Sequence, residues 1–113
     1  MDLEALKSLA DEKRLRIVML LADGERCVCD LASTLGESDA LISHHVKQLR
    51  EAGFIRTRRV GRWLHCSLEP SAFQVLATHL TRIGDRAAEA AAEQKPECCT
   101  SRQYPEQKEE IWP

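Results

Sequence analysis

Residues 25–54 read ERCVCDLASTLGESDALISHHVKQLREAGF, and the way this stretch divides decides the fold. Val28, Leu31, Ala32 and Leu35 recur at i, i+3, i+4 and i+7, the inward stripe of an amphipathic helix that stops at Gly36. Ser38 stands where a cap belongs. It precedes a second helix whose inward face is Ile42, Val46 and Leu49 and which ends near Gly53. A short helix holding Ala32, a turn with Gly36 and a following helix with Ile42 inward have the spacing of a helix-turn-helix. Alanine keeps the two helices close and glycine supplies the turn.

The flanks extend this pattern. Upstream, LEALKSLADEKRLRIVMLLADG gives Leu3, Leu6 and Leu9 on one short stripe and Ile17, Val18, Leu20 and Leu21 on a second. Two helices are predicted, divided near Asp11, which can cap the second, and ended by Asp23-Gly24. Downstream, FIRTRRVGRWLHCSL forms two strand-like runs about a Val60-Gly61 turn, with Leu64, Cys66 and Leu68 alternating inward. A hairpin after a helix-turn-helix is a wing. Ser71 to Glu93 is helical again, with Phe73, Leu76, Ala77, Leu80, Ile83 and Ala87 as its apolar side. Beyond Lys95 the chain is polar and proline-bounded, without periodicity. The expected fold is therefore mainly α with a small β-hairpin, a winged helix-turn-helix. Residues 1–93 are expected to form the DNA-binding and dimerisation domain, and residues 94–113 a flexible C-terminal tail carrying Cys98 and Cys99.

Composition narrows the function. A chain of 113 residues is one domain's worth with a modest core, so a second copy would help bury its helices. No apolar run reaches the roughly 18 residues of a membrane span, and MDLEALK at the start is acidic and helix-forming, unlike a signal peptide. A cytoplasmic protein without a membrane partner is expected. Five cysteines, an odd number, do not describe a disulfide framework; they are thiols available to a metal, to oxidation or to packing. The net charge of −2 hides an uneven distribution, because between Leu41 and Cys66 six basic side chains face Glu51 alone, leaving +5. That stretch can face phosphate.

In a helix-turn-helix the second helix enters the major groove with its first turns against base edges. The candidates, with Ser38 at the helix start, are Asp39, Ala40, Ser43, His44 and Lys47. Ser43 and His44 can hydrogen-bond bases, Lys47 reaches guanine or phosphate, and Asp39 can accept from a cytosine amino group. Arg58, Arg59 and Arg62, toward the wing tip, are expected to hold the flanking backbone. His45 lies beside the buried stripe and reads as a packed residue, as does Cys66.

Cys27 and Cys29 straddle Val28 and lie off the apolar stripe. On a regular helix, residues two apart face roughly 200° from one another, so the two sulfurs are expected to close on one ion only if the backbone bends. Their place near a helix N-terminus is expected to favour thiolate over thiol.

The segments SLADEKRLRIVMLL, CVCDLASTLG and SHHVKQLREAGFIRTRRVGRWLHCSL together resemble the ArsR/SmtB family of metal-responsive repressors. The resemblance implies a winged-helix homodimer, joined through its first and last helices, that blocks double-stranded operator DNA until an effector ion binds. CVCDL resembles the sensor of the thiol-rich branch, which includes arsenite/antimonite and cadmium/lead repressors. Carried over by position, Cys27 and Cys29 become ligands. The chain departs from the pattern in two places: Ala32 stands where some arsenite repressors have a third cysteine, and Asp39 where glutamine is usual. Cys98 and Cys99 are then the source of further thiolates. Three sulfurs suit As(III) or Sb(III) as inducer, and four suit Cd(II) or Pb(II). A thiol-redox or persulfide switch on the same scaffold is the other reading. Related repressors bind zinc-like ions between their last helices; His79, with Arg82 three places on, makes that site unexpected here. Without a CxxC motif or glycine-rich loop, neither an enzyme nor an organic cofactor is expected.

Overall fold

The computed structural model describes residues 3–93. In chain order the elements are α1 (Leu3–Leu9), α2 (Glu12–Leu21), β1 (Arg26–Cys27), α3 (Val28–Leu35), α4 (Asp39–Glu51), β2 (Ile55–Val60), β3 (Trp63–Leu68) and α5 (Pro70–Glu93). The chain divides after His79 into two units, the first holding α1 to β3 with the opening turns of α5, the second holding the rest of that helix. The expected boundary after Glu93 falls at the end of the described residues, and the expected tail, with Cys98 and Cys99, lies outside them.

Each helix of the first unit begins or ends where a side chain or a turn compels it to. Asp11 caps α2 by accepting from the Arg14 amide at 3.0 Å, and that bond holds its carboxyl below the usual carboxylate range. Gly36 ends α3 with φ 68°, which a residue with a Cβ adopts only under strain, and the Glu37 amide then donates to the Ala32 carbonyl at 3.0 Å. Two residues later Ser38 starts α4, its hydroxyl accepting from the Leu41 amide at 3.1 Å. Lys13 reaches across from α2 to Glu37 at 2.7 Å and ties this turn to the helix before it.

The core is a single cluster in which Ile17, Leu31, Ile42, Leu49 and Cys66 have no exposed surface. It contains most of the inward stripes read for α2, α3 and α4, joined by Phe54 and Ile55 at the start of the hairpin, whereas Leu3 of the first stripe and Leu80 and Ile83 of the last are exposed. Phe73 of α5 stacks obliquely on Phe54, ring centroids 4.8 Å apart. Burying each such side chain is worth about 1.5–3 kcal/mol, so the α3–α4 pair is held far more strongly by its core than by its caps, at about 1 kcal/mol each.

The sheet is antiparallel in the order β1-β3-β2. β2 and β3 pair from Ile55↔Leu68 to Val60↔Trp63 around Gly61, whose φ of 62° makes the tight turn. The third strand, β1, was not foreseen: two residues are too few to show alternation. It matters because Cys27 belongs to it.

Candidate functional site

α4 exposes the residues expected to read bases. Ile42, His45, Val46 and Leu49 are buried, which leaves Ser38, Asp39, Ala40, Ser43, His44 and Lys47 exposed along the other side. His45 is packed, as its place beside the stripe suggested. Its Nδ1 finds no hydrogen-bond partner among the described residues, and burial lowers its pKa against the pull of Asp11.

The three wing arginines do not act as a set. Arg58 is held by Glu25 through two bonds, Nε to Oε2 at 2.8 Å and a terminal nitrogen to Oε1 at 3.0 Å. Arg59, the next residue on the strand, faces the other way and makes no ion pair among the described residues. Arg62 lies over the Trp63 ring, 5.0 Å from its centroid, at the tip. Arg59 and Arg62 are exposed without an ion pair among the described residues, whereas Arg58 is engaged within the chain, a partner that the count of positive charges could not reveal.

The thiol pair differs from the sequence expectation in a way that changes the chemistry. Cys27 is not on the helix. It is the N-cap of α3, in extended conformation at φ −86° and ψ 161°, and its sulfur accepts from the Asp30 amide at 3.4 Å. The 200° separation therefore does not apply. The neighbouring Cys27 thiol, with burial next, pushes the Cys29 pKa above its ordinary value; the Asp30 amide opposes the shift. The expected lowering at a helix N-terminus is thus reversed at Cys29, because a neighbouring sulfur outweighs the helix. Two partly exposed thiols, one capping α3 and one in its first turn, are a donor pair whose chemistry suits a thiophilic ion. Among the described residues no group of three or more His, Cys, Asp and Glu side chains is placed to hold a metal.

Cys66 is the opposite case. It is fully buried and its thiol is pushed up to about 11, mainly by desolvation. A proton so firmly held makes it core, as the alternation implied.

A helix-turn-helix with a wing, an exposed reading helix and a thiol pair at the preceding helix defines a class: winged helix-turn-helix regulators. A family model described as bacterial regulatory protein, arsR family, matches residues 11–57. The chain is 46% identical over 71 residues to the arsenical resistance operon repressor of Escherichia coli (strain K12), covering 62% of this chain and 61% of that one. It is 42% identical over 80 residues to the arsenic resistance transcriptional regulator ArsR1 of Pseudomonas putida, covering 70% and 62%. A crystal structure of a possible transcriptional regulator for arsenical resistance superposes with a TM-score of 0.67 at 30% identity, covering 82% of this chain and 98% of that one. The chain belongs to the ArsR family. It spans a little over three-fifths of the length of the two curated relatives. The members it resembles are regulators and not enzymes.

Proposed function

We propose that the chain is a homodimeric transcriptional repressor of a metalloid-resistance operon, which holds double-stranded operator DNA and releases it when As(III) or Sb(III) binds its thiols. The observation that carries this reading is the placement of two partly exposed thiols at the β1–α3 junction, Cys27 capping α3 and Cys29 in its first turn, on the helix against which the reading helix packs. The similarity to two arsenic-resistance regulators supports the choice of ion.

The residues divide the work. Ser43, His44 and Lys47 read bases from the outer side of α4, Asp39 and Ala40 line its first turn, and Ser38 fixes where that turn begins. Arg59 and Arg62 reach phosphate beside the site. When bound, trivalent arsenic supplies a soft centre that exchanges hydroxide for thiolate, each thiol proton leaving with a hydroxide as water. Cys27 and Cys29 provide two sulfurs, and Cys98 or Cys99 completes the set. Cys27 does this while capping α3, so any adjustment of its sulfur reaches the Asp30 amide and the first turn of α3. Leu31 and Ala32 of that helix share the core cluster with Ile42 and Val46 of α4. A change in the first turn is therefore felt by the reading helix. Coupling of about 1–3 kcal/mol, typical between two sites, corresponds to a roughly 5- to 150-fold loss of DNA affinity.

The test is operator binding titrated separately with arsenite, antimonite, cadmium and lead, with wild type and the double variant Cys98→Ser/Cys99→Ser. Release by arsenite or antimonite at lower concentration than by cadmium or lead is expected, and the tail variant should blunt it. Release by cadmium or lead alone moves the assignment to a four-thiolate repressor. Release only after mild oxidation moves it to a thiol-redox switch. A tail variant that responds as wild type removes Cys98 and Cys99 from the ligand set.

A further inference from the structure

Cys27 is joined to the wing as well as to α3. It pairs with His65 of β3, and His65 pairs on its other side with Arg58 of β2, so the three residues form one row across the sheet. Directly opposed residues of antiparallel strands project from the same face, and the neighbouring row, Arg26, Cys66 and Thr57, is marked as the inward one by the buried Cys66. The row of Cys27, His65 and Arg58 therefore projects outward. Glu25, two residues before Cys27, reaches over this face to the far strand and grips Arg58 with both carboxylate oxygens, spanning the middle strand.

We propose that Glu25 is a positioning residue for the wing, and that through Arg58 it gives the sensor thiols a second route to DNA, by way of the hairpin. This rests on the function proposed above and adds a route that does not pass through α4. Exposed ion pairs contribute little to stability, but a bidentate arginine–carboxylate pair fixes direction as well as distance. Here it links residues 33 positions apart in sequence, one of them next to the strand that holds Cys27. A movement of Cys27 and its strand carries Glu25 with it, and Arg58 passes the displacement to the strand that leads to Arg59, Gly61 and Arg62. In this arrangement Arg58 is a structural tie and does not contact phosphate.

The wing contains its own reporter, since Trp63 is the only tryptophan among the described residues and the sequence has one other, Trp112. The experiment uses the full chain carrying Trp112→Phe. Acrylamide quenching of Trp63 and its emission during arsenite titration are compared for Glu25→Gln, Glu25→Arg, Arg58→Glu and the charge-reversed pair Glu25→Arg/Arg58→Glu. Glu25→Gln is expected to raise the quenching constant about twofold, as a loosened hairpin should. It should also at least halve the arsenite-induced change in Trp63 emission without altering arsenite affinity. Each single reversal should do the same, and the reversed pair should restore the wild-type response. A Trp63 response to arsenite that is absent in the parent chain, or the same in Glu25→Gln as in the parent, overturns the proposal. So does a Glu25→Gln variant that binds DNA more tightly with a salt slope steeper by about one unit, because Glu25 would then be masking a phosphate contact of Arg58. If arsenite shifts Trp63 but leaves the operator complex intact, the repressor reading fails while the quenching comparison still decides the tie.

Discussion

Cys27 and Cys66 occupy adjacent rungs of one ladder, Cys27 opposite His65 and Cys66 opposite Arg26, yet they meet opposite environments. Cys66 points into the core and its thiol is pushed up to about 11. Cys27 points outward and caps a helix, its sulfur accepting from the Asp30 amide. The difference is one step of the strand's two-residue period, which turns the same side chain from packing material into an accessible thiol. Thiol chemistry here follows from register, and the comparison can be broken at several levels.

The largest contrast is in reactivity. Alkylation of the folded chain by iodoacetamide at pH 7, with each site mapped by mass spectrometry, should label Cys27 and Cys29 at least about 100-fold faster than Cys66, which must wait for opening. Equal labelling would mean that the register does not sort the thiols. Stability should follow the same division. Removing inward atoms, as in Ile42→Ala or Leu31→Ala, should cost about 2–5 kcal/mol in denaturant unfolding. Cys66→Ser, which buries a hydroxyl among apolar neighbours, should cost about 1–3 kcal/mol. Cys27→Ser should change stability by less than about 0.5 kcal/mol, because serine is itself a good cap for α3.

The smallest effect is one of pH, at His45. Its folded-state pKa lies below the ordinary 6.5, so between the two values the unfolded chain binds the extra proton. Stability from this residue is complete above about pH 6.5 and is lost as pH falls through the folded value. His45→Leu should flatten this part of the unfolding profile while leaving most of the further acid loss from Asp11, whose carboxyl is held low mainly by the Arg14 amide and only in smaller part by His45. A variant whose profile below pH 6.5 matches wild type would show that the orphaned ring does not titrate there.

Much of this was legible in the sequence because it rests on local rules. The stripes of α2, α3 and α4, the cap at Ser38, the turn at Gly36 and the inward Cys66 follow from periodicity and from residues with one conformational use. The thiol pair was found by its place off the stripe, but its geometry was misjudged. Cys27 was read as helical because a two-residue strand leaves no period to detect, and the pairing of β1 with β3 is a contact between residues about 40 apart. The same blindness to distant contacts hid the engagement of Arg58, since nothing around FIRTRRVG indicates that Glu25 lies across the sheet. The raised Cys29 thiol follows from the missed geometry: once Cys27 leaves the helix, its thiol neighbours that of Cys29, and proximity prevails over the helix dipole.

The central claim is that outward thiols at the β1–α3 junction control the grip on DNA. Its most direct test is arsenite titrated into the operator complex of wild type, of Cys27→Ser and of Cys29→Ser, each first shown to bind operator without arsenite. The account predicts a loss of affinity of roughly 5- to 150-fold for wild type and none for either variant. Release of both variants at the wild-type arsenite concentration would contradict it.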